Sequence, residues 1–524
     1  MYVVTSKQMR EIEGRAIADF SIPSILLMEN AAIAIAEQCM DYLGGTDSPP
    51  TAVIVSGKGN NGGDGFAVAR LLHVDSVNVK VLLLCNEDDV TGDALTNLLI
   101  AKKIGIEIIT VCDENSMPQV RDALSKANLI VDAIFGTGLN SQVQGIHLMV
   151  IEAINASDRH VISIDLPSGL NADNGKAMGA VVRANKTVTL GFAKRGLYLY
   201  PGVDAAGEVT IATIGVPLEA PSPKAFVLND EEFADLLPKR SDTGNKGSFG
   251  QVYVLAGSDE MPGAAVLTAS AAYRAGCGLV KAYVNRHVAG ILQVRLIEAI
   301  TSILPDVDGF LFKDSIKCTK ELNKARAVLI GPGLGNNEHV KGFVLNVLTQ
   351  VEAPIVIDAD ALNVIADDKS VLTKLKSLCV VTPHPGEMSR LTGLPIHEIV
   401  SNSIQVASDF ATQHRVVTVL KGARTIVADP DGAVYINVTG NSSLAKAGSG
   451  DVLTGIIGAF IAQGKDVFTA SVLATYLYGQ AGEAAAIELS RYGVCASDLL
   501  MAVSGVLGGG LYAVTGFELR CFSG

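Results

Sequence analysis

The sequence predicts two consecutive α/β domains, each built on a largely parallel sheet. Three observations carry this. With 524 residues the chain exceeds one ordinary core. Short β-branched runs alternate with helical runs along both halves, the pattern of strand–helix–strand units. Between the halves, Gly215-Val-Pro-Leu-Glu-Ala-Pro-Ser-Pro223 packs three prolines into nine residues. It reads as a semi-rigid linker, placing the domains at 1–222 and 223–524.

Composition narrows the function classes. Hydrophobic residues at 48% and charged residues at 18% describe a folded chain, and a net charge of −13 argues against a nucleic-acid partner. The eight cysteines show no CxxC spacing, which suits small buried hydrophobes in a reducing compartment. Mean hydropathy is +0.35, yet the one long uncharged run, Leu499 to Phe517, contains five glycines and is a poor membrane helix. The start Met1-Tyr-Val-Val-Thr-Ser-Lys7 lacks the layout of a signal peptide, so a cytoplasmic enzyme that engages no membrane is expected.

In the first half, Ser6 to Tyr42 reads as helix interrupted by Pro23. Thr51–Ser56 is a buried strand that feeds Gly57-Lys-Gly-Asn-Asn-Gly-Gly-Asp-Gly65 and then a helical run, Phe66 to Leu72. Strand, Gly-rich turn and helix is a nucleotide-binding layout, and Gly57, Gly59 and Gly62 satisfy GxGxxG. Asn60, Asn61 and Asp64 would crowd a pyrophosphate, however, and no acidic residue closes a second strand at the dinucleotide spacing. Val79–Leu84, Glu107–Val111, Leu129–Phe135, His160–Ile164 and Val209–Ile214 read as strands, with helices over Thr91–Ile104 and Leu148–Ala156. Oxygen-rich loops close three of these strands, at 57–65, 132–142 and 165–168, and a parallel sheet gathers such loops on one edge.

In the second half, strands are expected at Gln251–Ala256, Ala325–Ile330, Ala353–Asp358, Leu378–Thr382 and Val416–Leu420, with an Ala-rich helix over Ala264–Ala275. Polar turns again follow the strands. His384 lies between Pro383 and Pro385, which stiffen its loop, and Lys421 stands near Arg424. Ala447-Gly-Ser-Gly-Asp451 opens directly into the apolar run Val452–Ala462, so unpaired N–H groups and the helix dipole make an anion site. Asp451 at its lip is either a proton acceptor beside a phosphate or the N-cap of a buried helix.

Several of these motifs resemble known families. Gly59-Asn-Asn-Gly-Gly-Asp-Gly65, Val131-Asp-Ala-Ile-Phe-Gly-Thr-Gly138 and Asp165-Leu-Pro-Ser-Gly169 resemble those of NAD(P)HX epimerases, over about residues 1–220. The resemblance implies a Rossmann-like α/β/α sandwich. It implies that Asn60, Asn61, Gly62, Gly63 and Asp64, with Gly136, Thr137, Gly138, Leu139, Asn140, Ser141 and Gln142, contact the hydrated nicotinamide nucleotide. Asp165 would contact its reacting end, and Asn61, Asp132 and Ser168 would bind potassium. As a hypothesis, Asp165 is the acid/base for inversion.

Gly331-Pro-Gly-Leu-Gly335, Asp358-Ala-Asp-Ala-Leu-Asn363, Thr382-Pro-His-Pro-Gly-Glu387, Lys421-Gly-Ala-Arg-Thr425 and the 447–451 turn resemble ADP/ATP-dependent NAD(P)HX dehydratases of the ribokinase-like superfamily, over about residues 225–505. This implies that Ala264, Gly335, His384 and Asp451 contact the hydrated nucleotide. Lys421, Gly422, Ala423, Arg424 and Thr425, with Gly448, Ser449 and Gly450, would contact ADP or ATP, and magnesium is expected with the nucleotide. The expected whole is a homo-oligomeric enzyme that epimerises R- and S-NAD(P)HX and dehydrates the S form to NAD(P)H. The alternative is a ribokinase-like kinase for a small alcohol such as a vitamin precursor, fused to a non-catalytic binding module. The tail after Gly505 departs from the family pattern and has no assigned role.

Overall fold

The computed structural model describes residues 1–44, 49–216, 224–316 and 319–508. Two compact units divide the chain, Tyr2–Ala225 and Phe226 onward. Most of the expected linker, 217–223, and the tail from 509 lie outside the described residues.

In the N-terminal unit, β1 (Tyr2–Val4) leads into α1 (Ser6–Ala18). Thr5 accepts the N–H of Gln8 and the Gln8 side chain returns to the Thr5 N–H, a reciprocal cap that starts the helix. After Pro23, α2 (Ser24–Leu43) buries Leu27, Met28, Ala31, Ala32 and Ile35, a stripe at helical spacing. Then come β2 (Thr51–Ser56), α3 (Asn60–Val74), β3 (Asn78–Leu83), α4 (Gly92–Lys103), β4 (Glu107–Thr110), α5 (Met117–Lys126), β5 (Leu129–Ala133), α6 (Gly145–Ala156) and β6 (His160–Ile164). The unit closes with β7 (Lys186–Leu190), β8 (Ala193–Lys194), α7 (Gly202–Ala206) and β9 (Glu208–Ala212).

Its sheet has seven strands in the order β4-β3-β2-β5-β6-β7-β9, all parallel. Both faces are covered, Ile54, Val131 and Ile162 packing on one side and Val53, Ile130 and Val161 on the other. From β2 the chain steps outward to β3 and β4, then returns to β5 and proceeds the other way. A crevice therefore opens past the carboxyl ends of β2 and β5, the place where such sheets hold ligands.

The C-terminal unit repeats the scheme. Following β10 (Ala225–Phe226) and α8 (Asp230–Leu236) come β11 (Gln251–Leu255), α9 (Pro262–Arg274), β12 (Leu279–Val284), α10 (Arg286–Arg295), β13 (Ile300–Ile303) and the hairpin β14–β15 (Asp306–Val307, Phe310–Leu311). Next are β16 (Ala327–Ile330), α11 (Glu338–Leu348), β17 (Ile355–Ile357), α12 (Asp360–Asp367), β18 (Cys379–Val381), α13 (Pro385–Thr392), α14 (Ile396–Ser401), α15 (Ser403–His414), β19 (Val417–Leu420), β20 (Ile426–Ala428) and β21 (Val434–Ile436). Helices α16 (Ser449–Ala462), α17 (Val467–Gly493) and α18 (Ala496–Leu507) follow. The strands run β13-β12-β11-β16-β17-β18-β19-β20-β21, parallel through β19 and antiparallel beyond it. The order reverses between β11 and β16. Helix α16, buried along nearly its whole length, packs on α9 and covers β16, β11 and β17.

One expectation is corrected. The stretch Asn60–Asp64 is not a loop but the opening of α3, which begins six residues before Phe66. The uncharged run from Leu499 is, where described, the end of the amphipathic helix α18, and among the described residues no helix is long and apolar enough to cross a membrane.

Candidate active sites

A cavity of about 660 Å³ occupies the N-terminal crevice. The turn Gly57–Asn61, Asp64, the β5 loop Ile134–Ser141, His147 and Asp165 line it, and Arg10 and Glu13 reach it from α1. It thus collects Asn60, Asn61, Asp64, Gly136, Thr137, Gly138, Leu139, Asn140, Ser141 and Asp165 from the expected site. Gly62, Gly63, Gln142, Asp132 and Ser168 do not line it. Gly62 and Gly63 act through packing: a Cβ on Gly62 would lie 1.9 Å from the Gly57 carbonyl oxygen, and one on Gly63 would lie 2.9 Å from the Ala94 Cα. Gln142 turns its Oε1 toward Gly179.

Asp132 and Ser168 sit fully buried beneath the cavity wall. Asp132 accepts bonds from the Ser163 hydroxyl (2.8 Å), the Ser168 N–H (2.8 Å), the Ser168 hydroxyl (2.5 Å) and the Ile134 N–H (3.3 Å). Ser168 Oγ in turn accepts the Phe135 N–H at 2.8 Å. This carboxylate therefore ties the β5 and β6 loops together. The Asn61 amide nitrogen is buried with no partner, and a Cβ on Gly136 would stand 3.1 Å from its amide oxygen. That nitrogen is a donor and cannot hold a cation; a donor set of the Asn61 amide oxygen, one carboxylate and a hydroxyl would suit a singly charged cation better than a divalent one.

Asp165 has φ of +67°, uncommon for a residue with a side chain, which sets its carboxylate at the cavity wall. It forms a buried ion pair with Lys194 and accepts the Leu190 N–H at 3.1 Å and the Thr189 hydroxyl at 3.3 Å. Lys194 also donates to the Leu190 carbonyl at 2.8 Å and is 1% exposed. The sequence reading passes over Lys194. A lysine closing an apolar run reads as a surface charge, and its partner stands in a different loop.

In the C-terminal unit the center is Asp358, at the end of β17 and buried. It accepts Lys421 Nζ at 2.9 Å and the Thr454 hydroxyl at 2.7 Å. Burial opposes its charge, but Lys421 and the hydroxyls of Thr454 and Thr382 outweigh burial and hold it below the usual carboxylate range. Lys421 also lies 3.9 Å from Glu387, and a Cβ on Gly450 would stand 3.3 Å from its ammonium.

Asp451 is the third residue of α16. The N-cap is Gly448, in the left-handed region with φ of +85°, and no side chain caps the helix. This removes the capping role for Asp451. Burial and the Asp358 carboxylate push Asp451 up to about 7, with Lys421 opposing them. Ser449 spends its N–H on the Lys446 carbonyl (3.3 Å) and its hydroxyl on Leu444 and Lys446, so the amides left to face an anion are those of Gly450 and Asp451.

The other expected residues divide. Gly335 donates to Asp360 at 2.8 Å, and Asp360 acts electrostatically on Asp451. Ala264 abuts Gly333 of the β16 turn. His384 caps α13: its Nδ1 accepts the N–H groups of Gly386 (3.0 Å) and Glu387 (3.3 Å), while Glu387 accepts the His384 N–H at 2.7 Å. Burial, Lys421 and Arg390 hold the imidazole below its ordinary value, and Nδ1 serves as an acceptor. Arg424 donates to the Val438 carbonyl, and the Thr425 hydroxyl closes the turn on Gly422 around Ala423. Asp358, Glu387 and Thr454 are site residues the sequence reading left unassigned. No cluster of three or more His, Cys, Asp or Glu able to hold a metal occurs among the described residues.

Comparison with known proteins adds the following. A family model described as "NAD(P)H-hydrate dehydratase" matches residues 252–504, and one described as "YjeF-related protein N-terminus" matches residues 24–196. The chain is similar to the "Bifunctional NAD(P)H-hydrate repair enzyme Nnr" of Moorella thermoacetica, 41% identical over 505 residues and covering 95% of each chain. It is also similar to the protein of the same name from Thermofilum pendens, 34% identical over 502 residues and covering 95% of each. Among solved structures, the ADP/ATP-dependent NAD(P)H-hydrate dehydratase from Bacillus subtilis co-crystallized with ATP/Mg2+ is 34% identical, covering 54% of this chain and 97% of that one, with a TM-score of 0.47.

Proposed function

Because the chain belongs to the family of bifunctional NAD(P)H-hydrate repair enzymes, we propose that each unit carries one half of the repair. The N-terminal unit interconverts the R and S epimers of NADHX and NADPHX at its crevice, with Asp165 at the reacting end. The C-terminal unit converts S-NAD(P)HX to NAD(P)H with ADP or ATP, releasing AMP or ADP and phosphate. The observation that carries the second half is Asp451 at the anion-binding start of α16, with a carboxyl that titrates at about 7.

Hydroxide leaves poorly and phosphate leaves well, so the nucleotide activates the ring hydroxyl. Gly450 and Asp451 amides orient the terminal phosphoryl group, and Asp451 takes the hydroxyl proton as the oxygen attacks phosphorus. Phosphate then departs with the C–O electrons, and loss of the proton on the adjacent carbon restores the ring double bond. Lys421, anchored on Asp358, places a positive charge beside Gly450 where negative charge gathers. Lys421–Thr425 and Gly448–Gly450 are proposed as the nucleotide side of the site; Ala264, Gly335 and His384 as its hydrated-nucleotide side. Magnesium enters with the nucleotide phosphates.

Potassium is proposed at Asn61, Asp132 and Ser168, where it would supply positive charge behind the β5 loop. That the assembly is a homo-oligomer in the cytoplasm is likewise a proposal. A net charge of −13 supports a partner set free of nucleic acid.

The test uses one variant per unit. Asp451→Asn is expected to lower dehydration of S-NADHX by about 10²–10⁴-fold while nucleotide still binds. Asp165→Asn is expected to stop epimerisation and leave dehydration intact; unchanged epimer exchange would remove Asp165 from the mechanism.

A further inference from the structure

The N-terminal cavity presents two carboxyl groups with opposite surroundings. Asp165 receives three donors, the Lys194 ammonium, the Leu190 N–H and the Thr189 hydroxyl. Asp64, on α3, lines the same cavity and is 7% exposed. Yet it accepts no hydrogen bond and pairs with no cation among the described residues. A buried carboxylate without a donor is costly, whereas a buried neutral carboxyl is not. Burial first, then Asp165 and Glu13, push Asp64 well above the ordinary range, with Lys194 opposing them. Glu13 of α1 is itself raised by burial, and Arg10 and Lys194 act against that shift.

The reaction asks for such a pair. Water added to a dihydronicotinamide ring leaves its hydroxyl on the carbon next to the ring nitrogen. Inversion there requires the hydroxyl to leave and to return on the other face. The nitrogen lone pair supplies the electrons, but the departing oxygen needs a proton. We infer that Asp64 is the proton donor of the epimerase cavity and that Lys194 is the positioning residue whose ion pair holds the Asp165 carboxylate in place as its counterpart. The C–O bond breaks as the Asp64 proton passes to the hydroxyl, which leaves as water, and the nitrogen pair forms a C=N bond. A water then bonds to the other face, its electrons forming the new C–O bond while the C=N pair returns to nitrogen. Its surplus proton goes to the Asp165 carboxylate. Exchange with solvent restores both groups. The inference rests on the epimerase reading above and divides its acid and base roles between two residues.

The experiment follows R-NADHX converting to S-NADHX by chromatography, on the full chain without nucleotide, against an enzyme-free control. Asp64→Asn is expected to lower kcat by about 10²–10⁴-fold with KM within about threefold. The same sample should keep the wild-type calorimetric transition of the N-terminal unit, which certifies its fold, and Asp64→Glu should restore part of the loss. Wild-type kcat should fall on the alkaline side as Asp64 ionises, and Lys194→Met should lower kcat with KM within about threefold, a loss that Lys194→Arg restores in part. An Asp64→Asn enzyme within about threefold of wild type in kcat would overturn the inference. So would a wild-type rate independent of pH, a measurement that needs no variant. A Lys194→Met enzyme that keeps the wild-type kcat would strip Lys194 of its role. Wild type that fails to speed epimer exchange would instead overturn the epimerase reading, and the inference with it.

Discussion

Asp451 and Lys421 show how one ion changes its neighbours' chemistry. Asp451 must be ionised to accept a proton, and it is raised to about 7. The kcat/KM for dehydration should therefore climb as pH rises through about 7 and fall below it. A pH–rate profile flat down to about pH 5 would show that Asp451 is not the acceptor. Lys421 is the counter-charge of the buried Asp358. In Lys421→Met that carboxylate is left unpaired, so chemical denaturation should report a loss of about 3–5 kcal/mol in the C-terminal unit. The pair's stabilisation has a definite sign with pH. Asp358 is depressed in the fold, so its contribution is present above the unfolded value of about 3.9 and is lost as pH falls toward the folded one. Residue types at strand ends were legible in part: Asn60, Asn61, Asp64, Asn140 and Asp165 meet at one cavity, while Asp132 lies buried away from its lining. The Asp165–Lys194 pair was not, because it spans 29 residues and needs the β6 and β8 ends side by side.

Element by element, the strands were the clearest signal because parallel strands buried on both faces must be continuous apolar runs. Thr51–Ser56 and His160–Ile164 are strands over the very residues expected. Helix α3 was misjudged at its start. Gly62, Gly63 and Gly65 contradict helix propensity, and tertiary contact overrides that penalty. Gly62 lets the first turn of α3 lie on the Gly57 carbonyl, so Gly62→Ala should cost about 1–3 kcal/mol by overpacking. Calorimetry should show the loss in the N-terminal unit, with epimerisation lowered and dehydration retained. Retention of full epimerase activity would mean that this close approach is not needed. Helix α5 and strand β7 had no expected counterpart. In α5 the buried face is carried by Met117, Val120, Ala123 and Leu124 among polar residues, a short pattern that is weak without its sheet.

At the scale of the whole chain, two units, each with its own sheet, reversal point and ligand loops, account for a protein of this length. Both were visible in the repeated strand–turn–helix grammar, and the motif resemblances gave each its chemistry. What stayed hidden was which carboxyl in each site is charged, because that depends on burial and on neighbours brought from far along the chain. The account's central claim is that one polypeptide epimerises and dehydrates. The direct measurement starts from mixed NADHX epimers with ADP or ATP, Mg²⁺ and potassium, and follows the absorbance of reduced nicotinamide. The account predicts recovery of NADH from both epimers, with the R fraction converted faster than its spontaneous epimerisation allows. Recovery that halts at the S fraction and then creeps at the spontaneous rate would contradict it, leaving the N-terminal unit a binding module.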